Sequence, residues 1–411
     1  MVYLYRILVV VVQFLLPVAS LFARGKSKLF IDGRRNLYKS NQIKKIGKVY
    51  WFHCASLGEF EQARPVMEEI KHQDKTAQLV ISFFSPSGYE QRKNYPLAEG
   101  VYYMPIDTPS NARKFIDWIQ ADVAIFVKYE IWYYHLKTLA SRKIPTYLLS
   151  ATFRENQFLF SFYGQWLFGV LKLFERIFLQ DSKSFHLLES KGIENITLSG
   201  DTRYDRVRST ALASVRIELL AQFKGTSPII ILGSSWPEEE QIIKDVLYDS
   251  NYSRYKVIIA PHDVSESHIQ QISELMKPFG VSRFTSGAFN TDDRVIILDT
   301  IGHLSNAYFY ADIALIGGGF GRGLHNILEA LAFGVPVVYG PEVDRYPEAL
   351  ESMASEVAYK VSNAEGLSAA INRLLPSGQL DDRMRAKCLD FINWHSGASD
   401  KVMKELLKGR H

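Results

Sequence analysis

Five glycines follow a short apolar run late in the chain, in a pattern typical of a loop that binds phosphate. The run Ile313–Ile316 predicts a buried strand of a parallel sheet. The glycines, at positions 317 to 323, let the backbone come close to a ligand. A helix predicted from Asn326 to Ala332 follows, and the free N–H groups and partial positive charge at its start favour an anion. We therefore expect Gly318 and Gly319 to lie beside a bound phosphate.

Polar side chains at the start of this predicted helix favour a nucleotide. His325 and Asn326 enter the helix, and Glu329 lies one turn further on, on the same face as Asn326. A carboxylate there can accept hydrogen bonds from ribose hydroxyls. The glycine offsets do not match the dinucleotide fingerprint, and no Gly-Lys-Ser/Thr follows as in a Walker loop. A tight βα turn without a ligand is the alternative interpretation.

The elements that position this loop alternate between short apolar runs and predicted helices, which is typical of doubly wound α/β domains. One series of strands runs from Val49 to Leu198 and a second from Ile229 to Tyr339. Residues 200–206 between them are polar and turn-rich and predict a hinge. Because ligands bind outside the carboxyl ends of parallel strands, the polar loops at those ends are the candidate sites.

The chain therefore divides into three predicted segments. We expect a membrane-anchoring helix in residues 1–24, a Rossmann-like domain in residues 25–205 and a second in residues 206–411, with the two domains facing each other across a cleft. The last predicted helices, Asp381–Trp394 and Ser399–Lys408, are amphipathic, and we expect the C-terminal one to pack back on the first domain. Two such domains suit an enzyme that transfers a group between two substrates.

The first 50 residues carry ten basic side chains against the single acid Asp32, about +9, in a chain of net charge +4. The apolar run Ile7–Phe22 precedes most of these charges. It is shorter than the roughly 20 residues of a comfortable membrane span, and a cleaved signal peptide is the rival interpretation. Basic residues after an apolar helix favour anionic headgroups and a cytoplasmic side. We expect an uncleaved anchor whose lipid phosphates meet these basic residues: Arg24, Lys26, Lys28, Arg34 and Arg35.

Composition excludes several other classes of protein. With 47% hydrophobic and 22% charged residues among 411, the chain has ample material for globular cores. Cys54 and Cys388 are its only cysteines, too few for a disulfide framework, which favours a reducing compartment. Neither a cysteine–histidine cluster with metal spacing nor an Asp-x-Asp pair is present, so no protein-held metal or other cofactor is expected.

Seven motifs in one order resemble the 3-deoxy-D-manno-octulosonic acid (Kdo) transferase family. They are Ile31–Arg34, His53–Glu59, Glu130–Trp132, Gly200–Asp205, Gly233–Ser235 with Glu239 and Glu240, Asp299–Gly302, and Gly317–Glu329. The resemblance implies an inverting enzyme of the GT-B fold that transfers Kdo from CMP-Kdo to the lipid A precursor in Gram-negative bacteria. It also implies a place on the cytoplasmic face of the inner membrane and no nucleic-acid partner.

The resemblance assigns site residues to both predicted domains. The donor-binding residues expected in the second domain are Ser234, Ser235, His262, Gly318, Gly319, His325, Asn326 and Glu329. The acceptor-binding residues expected in the first domain are Ser56, Gly58, Lys128 and Glu130. A plain helix cap for Ser234 and a pairing of Glu130 with Lys128 or Arg154 are the alternative interpretations.

Within this resemblance, Glu59 is the expected catalytic residue. Forming an acetal-type bond from a sugar nucleotide requires the acceptor hydroxyl to lose its proton, and a nearby carboxylate is a suitable general base. Glu59 lies between a predicted strand end and a helix start, where the helix dipole is expected to keep it ionised. A helix-capping acid is the alternative.

The chain departs from the family pattern at several site positions. Lys128 stands where the family usually has the first acid of Glu-Thr-Glu, and Trp236 stands where it has a histidine. The donor-binding arginine of the family is either replaced by His262 or absent. His303 replaces a glutamate.

Because of these departures, two other functions stay open. One is a different GT-B enzyme that uses a UDP-sugar, resembling a lipid A disaccharide synthase or a UDP-GlcNAc epimerase, and the other is a non-catalytic membrane-attached nucleotide-binding scaffold.

Overall fold

The computed structural model describes residues 1–19, 22–39 and 42–408. The chain forms two compact units. The first contains residues 1–206 together with 396–411, and the second contains residues 207–395. Each unit is built on one parallel seven-stranded sheet, so the predicted pair of doubly wound α/β domains is confirmed, as is an apolar helix near the N-terminus.

The first sheet has the strand order β3-β2-β1-β4-β5-β6-β7. Its strands are β1 Val49–Cys54, β2 Gln78–Phe83, β3 Gly100–Tyr103, β4 Val123–Val127, β5 Thr146–Ala151, β6 Arg176–Leu179 and β7 Ile196–Leu198. All residues of the central strands β1, β2, β4 and β5 are buried, which is why these strands have continuous apolar runs. The strand order reverses between β1 and β4, the place where doubly wound folds bind ligands.

The helices of the first unit cover both faces of its sheet. They are α1 Val2–Ala19, α2 Gly25–Arg35, α3 Leu57–Gln73, α4 Pro86–Arg92, α5 Pro109–Ile119, α6 Tyr133–Ser141, α7 Gln165–Phe168, α8 Ser182–Ser190 and α9 Thr202–Leu212, which leads into the second unit.

The second sheet has the strand order β10-β11-β9-β8-β12-β13-β14. Its strands are β8 Ile229–Ser235, β9 Lys256–Pro261, β10 Val281–Arg283, β11 Val295–Ile297, β12 Ile313–Ile316, β13 Val337–Tyr339 and β14 Ala358–Lys360. Its helices are α10 Glu218–Lys224, α11 Pro237–Tyr248, α12 Glu266–Met276, α13 Leu304–Ala307, α14 Leu328–Ala332, α15 Pro347–Ala354, α16 Ala364–Leu374 and α17 Asp382–His395. The reversal here lies between β8 and β12, so the loop after β8 and the glycine loop after β12 are neighbours.

The last helix, α18 (Ala398–Lys408), belongs to the first unit. Its side chains Val402, Met403 and Leu406 are buried in the apolar cluster that also contains α3. The turn before the helix is held by Asp205, whose carboxylate accepts hydrogen bonds from the Gly397 and Ser399 amides at 2.5 and 2.7 Å. The first unit is therefore built from both ends of the chain.

Three local predictions differ from the structure. The N-terminal helix, expected within residues 1–24 around the apolar run Ile7–Phe22, begins before that run, at Val2, because the residues before Ile7 also favour a helix; Ser20 and Leu21 lie outside the described residues. The helix after the glycine loop begins at Leu328 instead of Asn326, since the Asn326 side chain accepts a hydrogen bond from the Leu328 amide at 3.1 Å. The predicted hinge at 200–206 contains the start of α9.

The prediction that Arg34 contacts lipid phosphates is wrong. Its guanidinium is buried, donates to the carbonyl oxygens of Phe30 and Phe84 at 2.9 and 2.8 Å, and lies over both rings. Burial lowers the pKa of Arg34 to about 9. Arg34 therefore fixes α2 to the loop after β2 and does not face a membrane.

Candidate active site

Glu59 lies where β1 ends and α3 begins, at the strand reversal of the first sheet. It is in the first turn of α3, and its carboxylate accepts hydrogen bonds from the Ala55 and Ser56 amides. Gly58, just before it, is exposed, and a Cβ placed there has no neighbour closer than 3.9 Å. Packing therefore does not require glycine at position 58.

Burial, together with the negative charge of Glu130, raises the pKa of Glu59 to about 7. The amides of Ala55 and Ser56 and the charge of Lys128 act in the opposite direction but are weaker. The prediction that the helix dipole keeps Glu59 ionised is therefore wrong, since a half-buried position beside a second acid outweighs the dipole. A carboxylate with a pKa near neutrality can both take and return a proton at cellular pH.

Glu130 is the partner acid, and it is held by a buried relay of hydrogen bonds. Its Oε2 accepts from the indole Nε1 of Trp132 at 2.7 Å and lies 3.1 Å from Nε2 of the buried His53. The other ring nitrogen of His53 is 2.9 Å from the Ser82 hydroxyl, which accepts a hydrogen bond from Trp51 at 2.8 Å. With Ser82 donating to Nδ1, His53 keeps its proton on Nε2 and donates to Glu130.

Neither Lys128 nor Arg154, the two predicted partners, is the hydrogen-bond partner of Glu130. Lys128 takes a left-handed backbone conformation, φ 61°, directly after β4, and its amide donates to the Leu149 carbonyl at 2.8 Å. Its charge nevertheless acts on Glu59. The structure thus brings Ser56, and Gly58 and Glu59 from the first turn of α3, beside Lys128 and Glu130 from the loop after β4.

In the second unit, Glu239 connects the two loops at the strand reversal. Its buried carboxylate accepts hydrogen bonds from the Gly318 amide at 2.8 Å and from the Trp236 amide at 3.0 Å. The Gly318 amide, expected to face a phosphate, therefore binds a side chain of the protein. Gly319 is required by packing, since a Cβ there would overlap the backbone of Gly340.

The serines after β8 have different environments. Ser234 is half-buried, with φ 55°, and its side chain is not the cap of α11, whose N-cap residue is Trp236. The Ser235 hydroxyl is buried and donates to Glu240 at 2.9 Å, and Glu240 also lies 3.1 Å from the His268 ring. Ser235 thus contacts the interior of the unit and orients Glu240.

Trp236 and His262, two of the residues at which this chain departs from the family pattern, stack on each other. The rings of Trp236 and His262 lie 4.5 Å apart and 23° from parallel, and His262 is 4.7 Å from the ring of His325. The Trp236 indole donates to His325 Nε2 at 3.3 Å, and Arg322 lies over the Trp236 ring. Burial and the neighbouring His262 lower the pKa of His325, so His325 is neutral at pH 7 and can accept this bond.

Asn326 and Glu329 lie together beside this stack of rings. The Asn326 amide group donates to Glu329 Oε1 at 3.0 Å, on the exposed side of the glycine loop. Glu329 is also close enough to the buried Tyr308 for its charge to help burial raise the pKa of that phenol. The second unit thus gathers His262, His325, Asn326 and Glu329 at the carboxyl edge of its sheet.

Sequence reasoning missed His53 and Glu239 as site residues. His53 is a lone histidine in an apolar strand, and no local pattern connects it with Glu130. Glu239 had a usable signal, because an acid three residues after a helix N-cap is the spacing of a capping box. In residues 1–19, 22–39 and 42–408, no group of three or more His, Cys, Asp or Glu side chains is arranged to hold a metal ion.

Comparison with known proteins identifies relatives over most of the chain. Residues 31–206 match the family model described as 3-deoxy-D-manno-octulosonic-acid transferase (Kdo transferase). The 3-deoxy-D-manno-octulosonic acid transferase of Haemophilus influenzae is 26% identical over 375 residues, which are 87% of this chain and 86% of that protein. The protein of the same name from Aquifex aeolicus is 24% identical over 347 residues, 83% of this chain and 90% of that protein.

Among solved structures, the UDP-GlcNAc 2-epimerase of Neisseria meningitidis has the same fold. It aligns with a TM-score of 0.63 and 16% identity over 88% of this chain and all of that protein. A sequence identity this low establishes a shared architecture of two doubly wound domains and leaves the substrate to be argued from the site.

Proposed function

Since this chain is a glycosyltransferase related to the Kdo transferases of lipopolysaccharide synthesis, we propose that it transfers Kdo from CMP-Kdo to a hydroxyl of the lipid A precursor with inversion, using Glu59 as general base. The observation that carries the proposal is the position of Glu59. It is a half-buried carboxylate at the strand reversal, with a pKa of about 7, and its chain neighbour Gly58 is exposed.

In the proposed reaction the acceptor hydroxyl attacks the anomeric carbon of Kdo, and its proton passes to a Glu59 carboxylate oxygen. The bond from that carbon to the CMP phosphate breaks, and CMP leaves with the electron pair. Attack opposite the leaving group inverts the anomeric centre. Lys128 and Glu130 flank Glu59 and bind the acceptor, with Ser56 and Gly58 lining the approach, while His53 keeps Glu130 in place.

The second unit is proposed to bind CMP-Kdo through Ser234, His262, His325, Asn326 and Glu329. Because the Gly318 amide is occupied by Glu239, we assign the glycine loop a shaping function. Its compact backbone presents His325 and Asn326 to the nucleotide. The stacked rings of Trp236 and His262 then occupy the place of the expected arginine, and the nearby Arg322 supplies the positive charge for the donor phosphate.

Replacing Glu329 by alanine is expected to weaken CMP binding by about 1–3 kcal/mol, because the ribose hydroxyls lose a charged acceptor. Isothermal titration with CMP measures the loss. Glu274→Ala, which removes an exposed acid of the same unit that pairs only with Lys277, is the matched control and should bind CMP normally. Equal affinity in the Glu329 and Glu274 variants would remove Glu329 from the nucleotide site.

The rate is expected to fall on the acid side of about pH 7, because only the ionised Glu59 accepts a proton. A profile of kcat/KM from about pH 5 to 9 measures this acid limb. In Glu130→Gln the limb should move to lower pH, since one of the two causes that raise the Glu59 pKa is removed. An acid limb at the same pH in both proteins would contradict the assignment of Glu59.

A product assay tests the function as a whole. Protein is incubated with lipid A precursor, Kdo and a CMP-Kdo-generating system, CMP release is followed, and the product is weighed by mass spectrometry. A mass increase by one or more Kdo units is the expected result. Turnover of UDP-GlcNAc in place of CMP-Kdo would support the epimerase-like alternative, and CMP binding without any product would support the scaffold.

We also propose that α1 attaches the protein to the inner membrane from the cytoplasmic side, where the lipid-embedded acceptor is available. The helix is long and apolar enough to cross a membrane, and most of its large hydrophobic side chains are exposed. Sequencing the N-terminus of membrane-extracted protein separates this proposal from the signal-peptide alternative. A terminus beginning near residue 20 or 24 would overturn it.

A further inference from the structure

A second exposed apolar surface in the first unit lies far along the chain from α1. Phe158, Phe162 and Tyr163 are 56, 82 and 62% exposed, although most aromatic side chains of this unit are buried or half-buried. They belong to two adjoining 3-10 turns, Phe158–Phe160 and Phe162–Gly164, which we call the aromatic turn. The surrounding stretch of residues 157–174 has seven aromatic residues, one lysine and no acid. This composition is typical of a segment at a membrane interface.

The backbone of the aromatic turn is held in one conformation. The Ser161 hydroxyl donates to the Phe158 carbonyl at 2.7 Å and accepts from the Gly164 amide at 3.2 Å. A Cβ at Gly164 would overlap the Phe158 carbonyl, so the turn closes tightly only with glycine there. The Phe162 and Tyr163 rings pack edge to face at 5.6 Å. The exposed rings are thus presented by a preformed turn.

The aromatic turn adjoins the first turns of α1. Trp166, two residues after the turn, packs against Tyr5 of α1 with ring centroids 5.1 Å apart. The Tyr5 hydroxyl donates at 2.7 Å to Asp107, a fully buried acid of the first unit. Tyr5 therefore fixes the start of α1 beside Trp166, two residues from the aromatic turn.

We propose that the aromatic turn is a second membrane-binding element, whose rings enter the interfacial layer of a bilayer that contains anionic lipids. The inference rests on the membrane attachment of α1 proposed above. The Tyr163 ring, with its polar tip, favours the headgroup level, and the two phenylalanine rings suit the apolar side of that layer. Arg6, Lys172 and Lys191, whose ammonium lies over the Phe160 ring, supply positive charge for anionic lipids, while Arg154 and Glu155 before the turn offset each other.

A second copy of the chain is a poorer occupant for this surface. Three rings that bury roughly 150–250 Å² each fall short of the roughly 800 Å² per partner found in stable protein interfaces. A bilayer requires no such area of complementary protein surface, and it also covers the neighbouring apolar side chains of α1. Two contacts fixed to one unit hold that unit at a defined height and orientation above the lipid, whereas α1 alone would act as a tether.

The test places an environment-sensitive fluorophore on single introduced cysteines in the full chain. Cys54 and Cys388 are fully buried, so labelling is selective without their removal. Phe162→Cys reports on the aromatic turn, Phe14→Cys on α1, and Trp394→Cys, at a position 85% exposed in the second unit, is the control. The probe is a vesicle of phosphatidylethanolamine and phosphatidylglycerol.

On addition of vesicles, the labels at 162 and 14 are expected to shift to shorter wavelength, while the label at 394 stays unchanged. A shift at 14 without one at 162 would overturn the second contact and leave the anchor standing. No shift at either position would overturn both. A concentration-dependent shift at 162 without vesicles would show a second copy as the occupant and overturn the proposal.

A functional arm separates this proposal from the transferase activity. Phe162→Ser with Tyr163→Ser is expected to weaken vesicle binding about 10-fold, because two partly inserted rings are lost. Activity on detergent-dispersed acceptor should equal that of the unchanged protein. Unaltered vesicle binding by the double variant would overturn the proposal, whereas failure of the transferase assay in the unchanged protein would concern the proposed function alone.

Discussion

Replacing Glu59 by glutamine is expected to lower the turnover of Kdo transfer by more than about 100-fold. Glutamine has nearly the shape of glutamate, and its side-chain oxygen can still accept from the Ala55 and Ser56 amides. It cannot take the proton of the acceptor hydroxyl, so the loss measures the base alone. The measurement is kcat at saturating CMP-Kdo, together with titration of CMP, whose affinity should not change.

The matched control is Glu69→Gln, which changes an acid further along α3 that bonds to neighbours on its own helix and should keep full turnover.

The stability of the Glu59→Gln variant gives a second check on the raised pKa of Glu59. The raised pKa of Glu59 means that its contribution to stability is present below its ordinary pKa of 4.5 and is lost as the pH rises to about 7. Glu59→Gln should therefore be at least as stable as the unchanged protein at pH 8. A folded variant with near-normal turnover would remove Glu59 from the mechanism.

Replacing Asp107 by alanine is expected to lower the free energy of unfolding of the first unit by about 3–5 kcal/mol. Its fully buried carboxylate accepts hydrogen bonds from His135 Nδ1 at 2.7 Å, from the amides of Tyr134 and His135, and from the Tyr5 hydroxyl. Alanine leaves all these donors buried without an acceptor. Urea unfolding followed by tryptophan fluorescence measures the change, because four of the six tryptophans lie in the first unit.

The control for this prediction is Asp117→Ala, which breaks a surface pair with Arg142 and should change stability by less than about 1 kcal/mol. The pH dependence of the stability that Asp107 contributes can be checked as well. Burial raises the pKa of Asp107, but the hydrogen bond and charge of His135 outweigh it, so the pKa lies below its ordinary value of 3.8. The stability that Asp107 contributes is present above that value and is lost as the pH falls below it. Equal unfolding of the two variants would show that the Asp107 contacts contribute little.

The location of the candidate base follows from local sequence, whereas its ionisation does not. An apolar run that ends in small polar residues before a helix places Glu59 at the edge of a parallel sheet. Its pKa depends on Glu130, which is distant in sequence and comes close only because β1 and β4 are neighbours in the sheet. Strand order is a property of the whole fold, so no window around Glu59 contains it.

The same limit explains the other differences. In the sequence, Arg34 is one of many basic residues near an apolar helix, and nothing local distinguishes it. It is buried only because α2 packs against the loop after β2. Gly318 reads as a free amide, because the acid that occupies it, Glu239, follows a different strand. Local patterns thus identify which loops are polar, and tertiary contacts decide which of their groups are available to a ligand.

The shared construction of the first unit from both chain ends has a consequence for synthesis on the ribosome. The surface of α3 that Val402, Met403 and Leu406 cover is complete early, but α18 emerges only after residues 207–395 have been translated. At roughly 5–20 residues per second, this apolar surface stays uncovered for about 10–40 seconds. We therefore expect the nascent first unit to bind chaperones until α18 is made, and a chain that stops before α18 to leave this apolar surface uncovered.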